Sequence, residues 1–235
     1  MTFLTAARRS ENLNQNSQKR MKIKEIILLS DDLNETSRFY SELMGFRISE
    51  STTSKITFKV GSSQLTFLHT NDHCIYHFAF DIPHNKLDEA IQWLLARVDL
   101  IEFQGSNIID FPNWNAKSLY FYDNNGNVLE FIARFENKNE SHHSFDSSSI
   151  VSISEIAFVT DNVEKLAKDL IQTHGLKYYF RQIQREDFSV IGDDNGLIII
   201  VKSTRNWFPT PIKVEKFPVN VTIEKNGNKL DLKYE

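Results

Sequence analysis

Ile23-Lys24-Glu25-Ile26 and Ile153-Ser154-Glu155-Ile156 read as one strand written twice, 130 residues apart. The match extends past the tetrapeptide: Asp161 answers Asp31 and Gly175 answers Gly45 at the same offset, and Gly192 answers Gly61 one residue later. Self-similarity at a fixed offset marks a duplicated structural unit. The pattern of the residues after Ile23 therefore decides the fold.

Residues 23–29 have strand composition. Asp31 and Asp32 are helix-cap candidates for a segment carrying Leu33, Thr36, Tyr40, Leu43 and Met44, and Glu35, three after Asp32, supports a capping-box start. Gly45 can end that helix in a left-handed conformation. Residues 46–49, 55–60 and 64–68 then read as three further strands, so the order is βαβββ. A second unit repeats it: a strand over 76–82, then Leu87, Ala90, Ile91, Leu94, Leu95 and Val98 at helical spacing. It closes with strands 118–122 and 128–133 around Asp123-Asn124-Asn125-Gly126-Asn127, whose turn chemistry predicts a hairpin. The unit opening at Ile153 has Val163, Leu166, Ala167, Leu170 and Ile171 on one helix face. After Val201 only two strand candidates remain, 219–223 and 230–234, too little for a fourth full module.

The expected fold class is α+β, built of paired βαβββ modules. A complete domain is expected over 21–135, from modules 21–70 and 74–135. A linker rich in Asn, Ser and Glu covers 136–149, and a degenerate module with C-terminal strands, structural in role, covers 150–235. Residues 1–20, polar around Arg8, Arg9, Lys19 and Arg20, are expected to be a disordered tail.

Composition narrows the function classes. A formal charge of -4 gives no basic field for nucleic acid, so no nucleic-acid partner is expected. The apolar runs are strand length, so no membrane span is expected. The eight glycines cannot be assembled into a dinucleotide or phosphate loop, so no nucleotide cofactor is expected. The single cysteine, Cys74, cannot form an internal disulfide, which fits a cytoplasmic location.

Repeated βαβββ units, the helical run Ser37-Arg38-Phe39-Tyr40-Ser41-Glu42-Leu43-Met44-Gly45-Phe46 and the closing run Tyr120-Phe121-Tyr122-Asp123-Asn124-Asn125-Gly126-Asn127-Val128-Leu129-Glu130 together resemble the vicinal oxygen chelate superfamily. That superfamily includes glyoxalase I, extradiol dioxygenases and bleomycin-resistance proteins. The likeness covers residues 22–134 well and 151–203 more weakly. It implies that two modules pair around a cleft and that metal ligands come from the first strand of each module and the last strand of the second. By strand order those positions are Glu25, His77 and Glu130.

Side-chain alternation offers an independent check. In the last strand of the second module, Leu129, Phe131 and Ala133 share one face, and Val128, Glu130 and Ile132 the other. Glu130 is then a carboxylate in a strand apolar on both sides, and its burial calls for a metal, a cation or a bound proton. By the same alternation His77 shares a face with Ala79 and Asp81, and Glu25 with Ile23, Ile27 and Leu29. One His and two carboxylates suit one divalent Fe, Mn, Ni or Zn per chain.

The resemblance further implies a carboxylate from the fourth strand of the first module in glyoxalase I; here that strand presents Thr66. It implies a tyrosine ten residues before the last glutamate in extradiol dioxygenases; Tyr120 stands there, as hydrogen-bond donor to a bound oxyanion. Those enzymes also use an upstream His, where this chain has Phe111-Pro112-Asn113-Trp114, and their metal set has two His. Trp114 and Asn115, with Thr66, are the candidate pocket lining for a small-molecule substrate with vicinal oxygens. Two functions are expected candidates: a metal-dependent glyoxalase-like or dioxygenase-like enzyme, or a metal-free binding protein of the bleomycin-resistance type. The third module's apolar sheet must be covered, by its own C-terminal strands or by a second copy, and a homodimer is expected.

Overall fold

The computed structural model describes residues 20–235; the expected tail over 1–20 lies, except for Arg20, outside the described residues. The first module runs β1 (Met21–Ser30), α1 (Leu33–Ser37, continuing as a π-helical turn over Arg38–Leu43), β2 (Arg47–Ser51), β3 (Lys55–Val60) and β4 (Ser63–His69). The second is β5 (His77–Ile82), α2 (Leu87–Leu95), β6 (Ile109–Phe111), β7 (Ala116–Tyr122) and β8 (Val128–Arg134). The third is β9 (Ser152–Thr160), α3 (Val163–His174), β10 (Phe188–Asp193) and β11 (Gly196–Lys202). A lone bridge between Tyr178 and Ile191 stands where the third module's first hairpin strand would be. A fourth, reduced unit is the hairpin β12 (Val219–Lys225) and β13 (Asn228–Tyr234).

Local chemistry accounts for these elements. Asp32 caps α1 by accepting from the backbone N–H groups of Asn34 and Glu35, while the Glu35 side chain turns to Arg38 instead of closing a capping box. In the β7–β8 turn, Asp123 Oδ1 accepts from the N–H of Asn125 and of Asn127 at 2.9 Å each. Asn127 Oδ1 in turn accepts from Tyr76 N at 2.7 Å, which ties the start of β5 to the start of β8.

The modules pair in an order that sequence did not reveal. One sheet is β13-β12-β1-β4-β3-β2, and the other is β10-β11-β9-β5-β8-β7-β6. The first module therefore pairs with the fourth, and the second with the third. In each sheet two opening strands lie antiparallel at the centre, β1 against β12 and β5 against β9. The expected pairing of modules 21–70 and 74–135 is thus replaced by a nested one. The third module's sheet finds its partner within the chain, which supplies the cover that the expected homodimer was to provide.

The duplicated tetrapeptide has a structural meaning. The β1–β12 register shifts between Ile23 and Glu25, and the β5–β9 register shifts where Ala79 faces Glu155 and Phe80 faces Ile153. Lys24 and Ser154 are the extra residues of two equivalent bulges, and each flips the side-chain parity of its strand. Ile23, Ile26 and Leu28 consequently all enter the core, as do Ile153, Ile156 and Phe158. Glu25 and Glu155 turn to the opposite faces. The expectation that Glu25 shares a face with Ile23 fails for this reason.

The main core is common to both sheets and all three helices, with Phe80, Phe121 and Phe131 fully buried. Each such side chain contributes roughly 2 kcal/mol by removal from water. Residues 136–149 are held against this body: Phe145 is buried against Trp93 and Phe131, and Asn139 Nδ2 donates to Asp81 Oδ2 at 3.0 Å. Among the described residues no helix is long and apolar enough to cross a membrane.

Candidate metal centre

β5 lies between β8 and β9, and its residue Ala79 stands opposite Glu130 on one side and Glu155 on the other. His77, two residues earlier, shares that face. Three strands thus deliver a His and two Glu around one small side chain. All three are buried, and their donor atoms lie within 4.8 Å of one another. Ligands on one face of a metal with bonds of 2.0–2.2 Å sit about 3 Å apart, so modest rotamer changes bring the set to a common ion.

Hydrogen bonds orient each group. His77 Nδ1 lies 2.8 Å from Val128 O, which only accepts; Nδ1 therefore carries hydrogen and Nε2 is turned to Glu130, 3.6 Å from its Oε2. Ser118 Oγ donates to Glu130 Oε1 at 2.5 Å. Arg134 Nη2 donates to Glu155 Oε1 within a fully buried ion pair. Arg134 is two strand positions beyond Ile132 on the Glu130 face, and its Nε and Nη1 have no partner.

The charge balance bears on what completes the site. Glu130, Glu155 and Asp81 are buried with Arg134 as the cation, so with His77 neutral the ionised cluster carries two negative charges in excess. A divalent cation cancels that excess, and so does protonation. Burial and the neighbouring Glu130 charge raise the Glu155 carboxyl above the usual carboxylate range, against the pull of Arg134. Burial pushes Asp81 up to about 6. Tyr120, opposite Glu130 on β7, is held well above the usual phenol range by burial and by the charges of Glu130 and Glu155, and stays a neutral donor.

Above the cluster is a cavity of about 240 Å³. Trp114 and Tyr120 form part of its wall, and Trp207 and Phe208 cover it from the segment after β11. Trp207 stands 6.0 Å from the His77 ring and Phe208 5.9 Å from the Tyr120 ring.

Of the residues expected at the site, His77, Glu130, Tyr120 and Trp114 come together here. Glu25 does not: it lies in the other sheet, where its Oε1 accepts from Thr66 Oγ1 at 2.8 Å, and Glu155 takes the third position. Thr66 belongs to that other sheet for the same reason. Asn115 is exposed, left-handed at φ 48°, and donates to Glu136; it ends the turn after β6 and does not line the cavity. Sequence reasoning missed Glu155 as a ligand candidate and Arg134 as its partner. The signal for Glu155 was the repeat itself.

No protein-family model and no curated protein sequence matches the chain. Among solved structures it is similar to a candidate dioxygenase from Bacillus subtilis, at 15% identity over 92% of this chain and 85% of that one, with TM-score 0.57. Shorter likenesses include lactoylglutathione lyase from Agrobacterium tumefaciens (21% identity, 46% of this chain, 90% of that chain, TM-score 0.40). Another is a fosfomycin resistance protein, FosX, from Listeria monocytogenes, solved with Mn(II) and a dihydroxypropylphosphonic acid (20% identity, 50% of this chain, 94% of that chain, TM-score 0.38). The two sheets, each joined at its opening strands, and the structural likeness over 92% of this chain together give the chain the fold of the vicinal oxygen chelate superfamily.

Proposed function

We propose that the protein is a metal-dependent enzyme of the glyoxalase or dioxygenase type, with His77, Glu130 and Glu155 as ligands in the cleft of the seven-stranded sheet. The observation that carries this is the buried donor set around Ala79, with an imidazole Nε2 and two carboxylates turned to one point. A divalent metal bound there supplies a Lewis acid for two adjacent substrate oxygens. The chain's own residues do the rest. Ser118 holds one oxygen of Glu130, and Arg134 holds one oxygen of Glu155, leaving the second oxygen of each free. Tyr120 donates a hydrogen bond to an oxyanion forming above the cluster. Trp207 and Phe208 keep bulk water from the reacting face.

A second reading rests on the Arg134–Glu155 pair. A guanidinium already neutralises one carboxylate, and a proton on Glu155 removes more of the charge, so a metal-free cleft can bind a small apolar molecule. Metal analysis of protein purified without chelator or His-tag separates the two. About one equivalent per chain in the wild type, lost in His77→Ala, Glu130→Ala and Glu155→Ala, is expected. Less than about a tenth of an equivalent in the wild type, with cofactor metals present in the growth medium, would leave the metal-free reading.

A further inference from the structure

The cavity is polarised along its length. Its floor is the His77–Glu130–Glu155 cluster, each residue no more than 9% exposed. Its middle is aromatic and aliphatic. Its outer end carries two guanidiniums, Arg185 and Arg205, whose side chains are 58% and 26% exposed. Phe208, also in the lining, is 39% exposed, so the cavity meets solvent away from the buried cluster.

Both arginines hold the same carboxylate: Arg185 Nε is 3.1 Å from Asp187 Oδ1, and Arg205 Nη1 is 3.0 Å from Asp187 Oδ2. Two cations on one anion leave a net positive charge, and each guanidinium has donors to spare. Arg205 also lies over the Phe188 ring, 5.1 Å from its centroid, which fixes its plane beside the cavity. The adjacent Lys202 and Glu186 pair with each other at 2.6 Å and neither add to the excess nor cancel it. A carboxylate accepts two parallel N–H bonds from a guanidinium in a geometry that no neutral amide matches.

We propose that Arg185 and Arg205 are specificity residues that select a ligand with a carboxylate at the end distal to the cluster, joined to a flat apolar or aromatic body that fills the cavity. The inference rests on the metal reading only for the other end of the ligand, where adjacent oxygens would meet the cluster; the cationic mouth stands on its own geometry.

The test compares 3,4-dihydroxybenzoate with 3,4-dihydroxybenzamide, equal in shape and different in charge, by titration calorimetry with and without manganese(II). The wild type should bind the carboxylate at least about tenfold more tightly, and the double variant Arg185→Gln, Arg205→Gln should lose that preference. Asp187→Asn, which keeps both arginines and removes their competing anion, should tighten carboxylate binding. Equal affinity for the two compounds in the wild type, a preference that survives in the double variant, or binding of neither at millimolar concentration overturns the proposal. A preference for the carboxylate in protein that takes up no manganese upholds the mouth and removes the metal reading; stoichiometric manganese without the preference does the reverse.

Discussion

The two sheets share one plan and furnish it differently. In the seven-stranded sheet Ala79 is flanked by Glu130 and Glu155, with His77 two residues before it. In the six-stranded sheet Ile27 likewise lies between a parallel and an antiparallel neighbour, here Thr66 and Asn220, with Glu25 two residues before it. Both sheets have a bulge, on β1 itself in one and on β9, facing β5, in the other, and both residues have a parallel and an antiparallel neighbour. They differ in three side chains and in the size of the central one. Where Ala79 leaves room between two carboxylates, Ile27 fills the room between a hydroxyl and an amide. Glu25 is half-buried and accepts from Thr66, whereas Glu130 and Glu155 are sealed beneath an aromatic cover. The donors and the covering segment come together in the seven-stranded sheet, and the proposed chemistry is placed there for that reason.

The largest effect should come from breaking the charge balance of the furnished cleft. Arg134→Met leaves Glu155 and Asp81 buried without their cation, and denaturant unfolding of the metal-free protein at pH 7 should show a loss of about 3–5 kcal/mol. A smaller effect of opposite sign is expected from Asp81→Asn. The carboxyl is raised from 3.8 to about 6, so the fold favours its neutral form. Its contribution is full below about pH 4 and is lost as pH rises through about 6, so the wild type loses stability over that window and Asp81→Asn does not. The variant should gain about 2–3 kcal/mol at neutral pH, and an unchanged pH profile would contradict the assignment. Next, Ser118→Ala removes the hydrogen bond that holds Glu130 and should weaken manganese binding by about tenfold with little change in fold stability. The smallest effect belongs to the unfurnished cleft: Glu25→Gln should alter stability by less than about 1 kcal/mol and leave metal content unchanged. A loss of metal in that variant would erase the distinction between the clefts.

How much of this was legible in the sequence depends on range. The α+β class, the helices at Leu87 and Val163, and the Asp123 hairpin were readable because they depend on neighbours a few residues apart. The faces of Glu130 and His77 were readable from strand parity, and their choice as ligand candidates came from the family resemblance. Glu155 was not chosen over Glu25, because the choice depends on which opening strand lies against β5, a contact across some 75 residues. The bulges at Lys24 and Ser154 were hidden for a related reason: an extra residue in a strand is defined only against its partner. Trp207, Phe208, Arg185 and Arg205 lie in or beside connections without periodicity, where sequence pattern carries no positional signal.

The nested pairing also orders the birth of the molecule. The inner sheet is drawn from one continuous stretch, β5 to β11, so all its strands are available for pairing once that stretch has left the ribosome. The outer sheet joins β1–β4 to β12–β13 across a loop that contains the whole inner sheet, so the β12-facing edge of β1 stays open until Val219–Lys225 has been made. A nascent chain halted short of Val219 would carry an assembled His77–Glu130–Glu155 cluster on a body with one sheet still open.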